Sequence, residues 1–330
     1  MKLKFFIGIA ISLLFLFLAL RNVSYGKLML SLQNANYFYL IPAVILVILT
    51  MWFRAIRWRY LLQPIKMVKN HSLFSAVMIG FMANNVLPAR IGEFVRAYAI
   101  GRKENLSKSL SLATIVVERI FDGFTLLTFL LGTLIFSPLP AWVKKAGISA
   151  FIFYILIIVF LILLKRYKEN MLKFMNYILS PISKNLSLKT DELLTSFIAG
   201  FDILKDKKQI ALILLYSFLV WTTYGVLTLL VFIAFNFNLP LYAPFLLTVI
   251  LTFGVMIPSS PGYVGTYQFF CVTGLALWGI KESDALGFSL VYHAGQYVPI
   301  TALGLFYLWK ENMSLKEIKS EEEQQDNFFS

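Results

Sequence analysis

The chain has few of the residues that soluble enzymes use for catalysis and for metal binding. It holds 1 cysteine and 2 histidines in 330 residues, so neither an intrachain disulfide nor a cysteine–histidine metal cluster is expected. Charged residues make up only 14% of the chain, whereas hydrophobic residues make up 59%. This balance excludes a soluble globular domain and predicts a protein that crosses a membrane several times as helices.

The sequence also lacks the glycine patterns that bind nucleotides. Neither a Walker-type phosphate loop nor a dinucleotide-binding turn occurs, so ATP is not expected as an energy source and no cofactor is expected. The formal net charge is +13, which in a soluble protein would suggest nucleic acid binding. Because the basic residues lie between apolar stretches, the positive charge of cytoplasmic loops explains it better, and no nucleic-acid partner is expected.

Apolar stretches recur along nearly the whole chain and predict an all-α helical bundle in the membrane. Six of them are predicted to be full spans, at about residues 5–20, 37–53, 109–136, 148–164, 209–235 and 286–309. Two others, at 73–87 and 241–280, are too short or are interrupted, and are predicted to be re-entrant hairpins. The first stretch also resembles a signal peptide, but it lacks a small-residue cleavage site, so an uncleaved helix is expected.

The two interrupted stretches share one short motif. Pro88–Phe94 and Pro261–Tyr267 both read Pro-x-x-(Ile/Val)-Gly-x-aromatic. Proline and glycine break helices, and a broken helix is tolerated in a bilayer only where protein or a wet cavity satisfies its backbone. Matching broken segments in two halves of a membrane protein point to a transporter binding site. If the first hairpin enters from the cytoplasm and the second from outside, the two halves form an inverted repeat, the arrangement used for alternating access.

Basic residues divide unequally between the two sides of this predicted bundle. With both termini in the cytoplasm, 24 of the 30 Lys and Arg residues lie on the cytoplasmic side and 5 lie outside, with Arg119 inside a span. This asymmetry predicts a multi-pass plasma-membrane protein with both termini cytoplasmic. The membrane unit is predicted over 1–310, and an acidic, disordered tail over 311–330. The cytoplasmic loop of the membrane unit, at 165–208, is amphipathic and is predicted either to lie on the inner leaflet or to pack against the bundle.

The charged side chains inside predicted spans are the most informative residues, because each costs about 2.5–3.5 kcal/mol at the bilayer centre unless it is paired or hydrated. Glu118 and Asp122 lie one helical turn apart and share a face with three hydroxyl-bearing residues. These are Ser111, Thr114 and Thr125. The stripe predicts a helix face turned toward the bundle interior or a water-filled path. The alternative is a purely structural pair between Arg119 and Asp122.

Polar residues also cluster at the two breaks. Arg90, Glu93 and Arg96 follow the first break, and guanidinium groups bind phosphate oxygens through two hydrogen bonds while keeping their charge. The alternative is that these arginines extend to the cytoplasmic interface. The second break and the last span offer uncharged hydrogen-bonding groups. The candidate substrate-binding residues are Asn85, Arg90, Glu93, Arg96, Glu118, Arg119, Asp122, Ser259, Ser260, Tyr263, Thr266, Gln268 and His293.

The balance of charge among these candidates indicates what kind of head group they could bind. The three candidate arginines face three candidate carboxylates, and such a neutral set suits a mixed-charge head group as well as a plain phosphate.

A separate cluster combines arginine with tryptophan. This combination is typical of an anchor at the membrane interface, and contact with a lipid head group is the alternative. Its members are Trp52, Arg54, Arg57, Trp58 and Arg59.

Three ordered motifs resemble the transmembrane region of lysylphosphatidylglycerol synthases. They are 85–93 with Arg96, 118–122, and 258–266. The resemblance extends over nearly the whole chain and implies a flippase-like unit that moves aminoacylated phosphatidylglycerol from the inner to the outer leaflet. Motif positions are held by Arg90, Glu93, Arg96, Glu118, Arg119 and Asp122. The soluble domain that attaches the amino acid in the family's best-known members has no counterpart in this sequence, so that enzymatic activity is not carried over.

The sequence therefore favours a lipid translocator whose partner is a membrane phospholipid or a polyprenyl-phosphate lipid. Two alternatives stay open. One is a membrane partner of a separate lipid-modifying enzyme. The other is an intramembrane head-group transferase, in which paired carboxylates would perform acid–base chemistry. Neither an aspartate-rich metal motif nor a nucleophile–base pair occurs, so no metal and no catalytic residue are predicted, and the sequence indicates no oligomeric state.

Overall fold

The computed structural model describes residues 2–87, 91–136, 141–180, 206–314 and 317. Within these ranges the chain forms twelve α-helices and two short 3-10 turns, and no strand, as the apolar stretches predict. The helices are α1 (Lys2–Leu20), α2 (Tyr25–Asn34), α3 (Leu40–Leu62), α4 (Asn70–Val86), α5 (Gly92–Glu104), α6 (Lys108–Phe136), α7 (Ala141–Arg166), α8 (Lys168–Leu179), α9 (Lys207–Ala234), α10 (Ala243–Gly254), α11 (Thr266–Ala276) and α12 (Glu282–Lys310). The 3-10 turns are Tyr37–Tyr39 and Pro261–Tyr263.

Two helices of the described ranges are long and apolar enough to cross a bilayer by themselves. One is Tyr37–Leu62, which includes α3, and the other is Lys207–Ala234, which is α9. Helices α1 and α2 are bent by 85° at a short break and would add a third span if they formed one. The set of six full spans is not confirmed by this criterion and stays a prediction.

The bundle is built around α3, α9 and α12. Helix α3 packs along α9, and α12 packs against α4, α3 and α2. The inner face of α3 carries Met51, Ala55, Trp58 and Leu61 at spacings of three or four residues, and all four side chains are completely buried. Helix α6 contacts α3, α5, α9 and α10. The polar stripe of α6 is therefore enclosed by the bundle.

Helices α4 and α5 form a helical hairpin around the first break. They have 17 and 13 residues and pack directly against each other. A Cβ atom on Gly80 would lie 2.7 Å from the carbonyl oxygen of Gly92, and one on Gly92 would overlap the carbonyl of Gly80. The Gly92 N–H donates a hydrogen bond to Asn84 Oδ1 at 2.7 Å, which satisfies a backbone donor at the start of α5. The close approach of Gly80 and Gly92 thus lets α4 and α5 pack directly against each other.

Helices α10 and α11 form a second, shorter hairpin at the second break. They have 12 and 11 residues. Such helices are about 16–18 Å long, well below the roughly 30 Å of a hydrocarbon core. In their connection Gly262 has φ +68 and Gly265 has φ +87, a conformation that only glycine adopts readily. Gly265 immediately precedes α11 as Gly92 begins α5, so the two motif glycines occupy equivalent positions.

The tips of the two hairpins meet inside the bundle. A Cβ atom on Gly262 would lie 3.2 Å from the carbonyl oxygen of Asn85 and 2.7 Å from the ring of Tyr297. The Asn85 side chain donates a hydrogen bond to Thr301 Oγ1 at 2.9 Å, and the Tyr297 hydroxyl donates one to the Asn85 carbonyl at 3.4 Å. Helix α12 therefore holds both breaks side by side.

The ends of α5 and α12 are joined by ion pairs in a polar region of the surface. Arg102 lies 3.0 Å from Glu317, and Lys103 pairs with Glu311. A hydrogen bond from the Ser314 backbone, together with Arg102, lowers the pKa of Glu317. The C-terminal end of α12 and the end of the first hairpin thus lie on the same side of the bundle.

The predicted amphipathic loop is described only in part. Helix α8 contacts α7, and its Phe174, Tyr177 and Ile178 side chains are exposed. Exposed apolar side chains on an amphipathic helix are typical of a helix that lies on a membrane surface. The predicted position on the inner leaflet stays a prediction. The rest of the loop, at 181–205, lies outside the described residues, as does most of the acidic tail.

Replacing Gly92 by alanine is expected to lower the apparent melting temperature of the detergent-solubilised protein. The added methyl group would meet a backbone carbonyl of α4, and overpacking of this kind costs about 1–3 kcal/mol. Gly295→Ala is the matched control, because nothing lies within 4 Å of the position that its methyl group would take in α12. Alanine favours a helix over glycine, so the control should melt at the same temperature or higher. Equal destabilisation of both variants would contradict the close packing of the first hairpin.

Candidate functional site

A buried network of ion pairs joins α3, α5 and α6. The two terminal nitrogens of Arg96 donate hydrogen bonds to the two carboxylate oxygens of Glu118 at 2.9 and 2.8 Å. Arg57 lies 2.9 Å from Glu118 and 2.6 Å from Asp122. Arg119 lies 2.9 Å from Glu118 and 3.1 Å from Asp122. The Arg119–Asp122 pair that sequence suggested as a structural lock is thus present, but within a larger network.

Most of this network is removed from both solvent and lipid. Glu118 and Arg57 are 0% exposed and Arg96 is 2% exposed. The alternative in which Arg96 extends to the membrane interface is therefore wrong. Arg119 differs, because its side chain is 39% exposed and faces a cavity. Since the carboxylates of the α6 stripe point into the bundle, the predicted orientation of that stripe is confirmed.

Neutral side chains hold the charged groups in position. The Arg96 guanidinium lies 3.8 Å from the centre of the Trp58 ring, a cation–π contact. The Trp58 indole N–H in turn donates a hydrogen bond to Thr114 Oγ1 at 2.9 Å. The Trp221 indole N–H donates one to Asp122 at 2.8 Å. These contacts restrict the rotamers of the charged side chains in the network.

Arg54 is held less tightly than the other arginines of the network. It is 3% exposed and lies 3.6 Å from Asp122 and 4.0 Å from Glu118. Its Nε and Nη1 atoms make no hydrogen bond with the part of the chain that the structure describes. Arg57, Arg96 and Arg119 also have nitrogens without a hydrogen bond, but each of them donates at least one hydrogen bond to a carboxylate of the network. The Arg54 guanidinium also lies over the rings of Phe81 and Trp221, at 5.1 and 5.4 Å from their centres. A buried arginine with unsatisfied donors is costly unless a further acceptor completes its hydrogen bonds.

The buried network carries more positive than negative charge. Its arginines are Arg54, Arg57, Arg96 and Arg119, and its carboxylates are Glu118 and Asp122. The partly buried Glu93 also lines the cavity, so a surplus of one positive charge remains when it is included. The predicted balance of three arginines against three carboxylates is therefore wrong for the described residues. No group of three His, Cys, Asp or Glu side chains among them could hold a metal ion.

A cavity of about 610 Å³ lies beside Arg54, Arg119 and Asp122. Helices α4, α6, α7, α9, α10 and α12 and the second break all contribute to its walls. On the side of α7 and the end of α10 the lining is apolar, and Phe153 and Met256 there are 66% and 63% exposed. The cavity thus combines a charged wall with an apolar side that opens toward the outer surface of the bundle. The charged wall, called the arginine wall below, consists of Arg54, Glu93, Arg119 and Asp122.

The predicted candidates divide into three groups around this cavity. Those that line it are Asn85, Glu93, Arg119, Asp122, Tyr263 and His293. Glu118 and Arg96 lie directly behind its charged wall. Those that belong to the second hairpin but do not line the cavity are Ser259, Ser260, Thr266 and Gln268. Arg90 lies outside the described residues.

Two of the residues at the second break position the hairpin tip. The Ser260 N–H donates a hydrogen bond to Ser12 Oγ of α1 at 2.7 Å. Gln268 Oε1 accepts one from the Gly265 N–H at 2.7 Å, and Gln268 Nε2 lies 3.2 Å from Nδ1 of His293. These contacts support the cavity wall from the side that faces away from the cavity. Some polar residues of the second break therefore stabilise the hairpin tip, whereas others line the cavity.

The interpretation of the sequence missed the contribution of α3. Arg54, Arg57 and Trp58 are each exposed by 3% or less, so their assignment to an interfacial anchor is wrong. Arg59 and Trp52 remain partly exposed, as an anchor requires. Spacing was the available signal, because residues three and four positions apart share one helix face, which here is the face turned toward α6.

These features define the class of protein: an all-helical membrane protein with a charged, partly apolar cavity inside its bundle. The chain belongs to the family described as the lysylphosphatidylglycerol synthase transmembrane region, which matches residues 5–304. The resemblance drawn from the three sequence motifs is thereby confirmed.

Several curated proteins are similar to this chain. A UPF0104 membrane protein of Methanocaldococcus jannaschii is 26% identical over 241 residues, which cover 72% of this chain and 98% of that protein. A UPF0104 membrane protein of Methanothermobacter thermautotrophicus is 22% identical over 295 residues, which cover 85% of this chain and 87% of that protein. A shorter match, 28% identical over 120 residues, covers 36% of this chain and 19% of the glycosyltransferase AglD of Haloferax volcanii. No solved structure matches significantly.

Proposed function

We propose that this protein moves an anionic, phosphate-containing lipid between the two leaflets of the cell membrane. The observation that carries this proposal is Arg54, a buried arginine with unsatisfied donors that lines the cavity. It belongs to a network whose four arginines outnumber its carboxylates by one when Glu93 is counted. Phosphate oxygens accept hydrogen bonds from guanidinium groups and supply the missing negative charge. Arg119, on the same wall and partly exposed, is positioned to bind the same phosphate.

The lining of the cavity supports a lipid over a soluble anion. Apolar side chains from α7, α10 and the residue stretch that follows α10 form its open side. Among them are Ala150, Phe153, Ile157, Phe253 and Met256. Contact with acyl chains would keep this surface from water, whereas a small soluble substrate would leave it hydrated. In the proposed binding mode the head group enters the cavity while the acyl chains stay at its apolar side.

In this proposal the two hairpins are re-entrant and the six predicted spans form an inverted repeat with both termini cytoplasmic. Three observations support it: α10 and α11 are too short to span a bilayer, the motif glycines are equivalent, and the hairpin tips meet. The end of α12 also lies beside the end of the first hairpin, as two cytoplasmic segments would. Movement of one hairpin at a time would then open the cavity to one leaflet and close it to the other.

A second candidate function is that of a membrane partner for a lipid-modifying enzyme. The observation that favours it is the partial match to a protein named as a glycosyltransferase. In that case the cavity would hold a lipid whose head group a separate enzyme changes, and no leaflet exchange would occur. An intramembrane transferase is less well supported, because Glu118 and Asp122 are both held by several arginines and are poorly placed to accept a proton.

Reconstitution into vesicles tests transport directly. Exchange between leaflets is measured with fluorescent analogues of phosphatidylglycerol and phosphatidylcholine, by chemical quenching of the outer leaflet. The protein is expected to accelerate exchange of the phosphatidylglycerol analogue about tenfold more than exchange of the phosphatidylcholine analogue, a difference of about 1.4 kcal/mol. Both analogues carry a phosphodiester, but the quaternary ammonium of phosphatidylcholine would be repelled by the surplus positive charge of the arginine network.

Protein-free vesicles and vesicles with heat-denatured protein are the controls. Equal acceleration of leaflet exchange for both analogues would contradict selection of anionic lipids by the arginine wall. An exchange rate no faster than that of protein-free vesicles would contradict transport and favour the partner function.

A further inference from the structure

The cavity has a second wall that the proposed phosphate site does not use. It is uncharged and consists of aromatic and hydrogen-bonding side chains from the second hairpin and α12. These are Tyr263, Tyr267, Tyr292, His293, Gln296 and Tyr297. Asn84 and Asn85 of α4 extend it with two amide groups. A wall of this composition needs a ligand with many hydrogen-bonding groups and some apolar surface.

Ring stacking and hydrogen bonds preorganise this second wall. The rings of Tyr267 and His293 are stacked with their centres 4.3 Å apart and their planes at 14°. Gln296 Nε2 donates hydrogen bonds to the Tyr267 hydroxyl at 3.0 Å and to the Tyr292 carbonyl at 3.2 Å. Both bonds use the amide nitrogen, so the Gln296 carbonyl oxygen is left as an acceptor. Because these rotamers are already fixed, a ligand would lose little free energy in ordering them.

The charge of the cavity distinguishes between two kinds of ligand for this wall. Aromatic rings can bind an ammonium group through cation–π contacts. However, the network beside the cavity has one more arginine than carboxylates when Glu93 is counted, and a further cation close to it would be repelled. A neutral group with several hydroxyls avoids this repulsion, because it can stack on the rings and exchange hydrogen bonds with the amides.

We infer that the second wall binds a neutral polyhydroxylated group, a sugar or a cyclitol, attached through the phosphate to the lipid. This inference rests on the proposed function for the phosphate end of the same ligand. The arginine wall binds the phosphodiester, the Tyr267–His293 stack lies against the polyol, and Gln296 accepts from its hydroxyls. A volume of about 610 Å³ is large enough for both groups, since pockets for drug-sized ligands span roughly 300–1,000 Å³.

Binding to four diacyl lipids tests the inference. Phosphatidylmethanol, phosphatidylglycerol and phosphatidylinositol share one phosphodiester and differ in their hydroxyls, and phosphatidylethanolamine carries an ammonium group. Affinities are measured with the full chain in detergent by native mass spectrometry. We expect phosphatidylinositol to bind at least about tenfold more tightly than phosphatidylmethanol, the factor that one well-made hydrogen bond supplies.

The double variant His293→Phe with Gln296→Leu keeps the ring and the apolar volume but removes the hydrogen-bonding groups. Its affinity for phosphatidylinositol is expected to fall to that for phosphatidylmethanol, while phosphatidylmethanol binding stays unchanged. Val298→Leu, on an exposed face of α12, is the matched control and should bind all lipids as the wild type does.

The possible outcomes test the polyol assignment and the phosphate site separately. If the wild type binds phosphatidylmethanol and phosphatidylinositol equally, or if the double variant weakens both equally, the polyol assignment is overturned and the phosphate site stands. Tighter binding of phosphatidylethanolamine than of phosphatidylinositol would overturn it in favour of an ammonium group. If none of the anionic lipids binds measurably, the proposed function itself is contradicted.

Discussion

Replacing Glu118 by glutamine is expected to lower the apparent melting temperature in detergent by about 10 °C, the consequence of losing roughly 3–5 kcal/mol. The Glu118 carboxylate binds Arg96 through both oxygens at 2.9 and 2.8 Å and lies 2.9 Å from both Arg57 and Arg119. Without its charge, Asp122 is the sole buried carboxylate that faces the network's arginines among the described residues. Breaking one partner of a buried ion pair costs far more than the pair contributes as a whole, because the other charge stays buried.

Glu104→Gln is the matched control, since it removes a carboxylate from a pair with Lys66 whose lysine side chain is 44% exposed. Exposed pairs contribute about 0–1 kcal/mol, so this variant should melt close to the wild type. Adding Arg96→Met to Glu118→Gln removes one of the uncompensated charges and should recover part of the loss. If Glu118→Gln melts like Glu104→Gln, the network is not the buried, mutually dependent set described above.

Sequence alone could predict the features of this fold that depend on local chemistry. Proline and glycine at 88–92 and 258–265 indicated two reversals, and the structure places Gly92 and Gly265 at equivalent helix starts. The stripe through Glu118 and Asp122 was visible because a helix repeats its faces every three or four residues, and that face is buried. In both cases the residues that carry the signal are neighbours in sequence.

The features that depend on tertiary partners could not be predicted in the same way. The span predicted over 37–53 ends before Arg54, whereas α3 continues to Leu62. Arginine and tryptophan at the end of an apolar stretch fit an interfacial anchor and a buried network equally well, and only the carboxylates of α6 decide between them. Loop residues such as Ser259 have no regular period, so their orientation relative to the cavity could not be read from spacing.

Replacing Arg54 by methionine is expected to separate transport from stability. Methionine has a similar length and fills the space among Phe81 and Trp221, but it offers no donor to a phosphate. Loss of a charge-assisted hydrogen bond of about 1.5–3 kcal/mol should slow phosphate-lipid exchange about tenfold or more. Stability should not fall, because removing Arg54 reduces the surplus of buried positive charge and takes away donors that the protein leaves unsatisfied.

The most direct test of the arginine wall is therefore one paired measurement on Arg54→Met, with Arg59→Met as a partly exposed control outside the network. Leaflet exchange of the fluorescent phosphatidylglycerol analogue and the apparent melting temperature are recorded on the same preparations. A phosphate-binding Arg54 predicts exchange reduced about tenfold or more with an unchanged or higher melting temperature, and a control that matches the wild type. Exchange at the wild-type rate in Arg54→Met, or a loss of exchange that only follows a loss of stability, would contradict it.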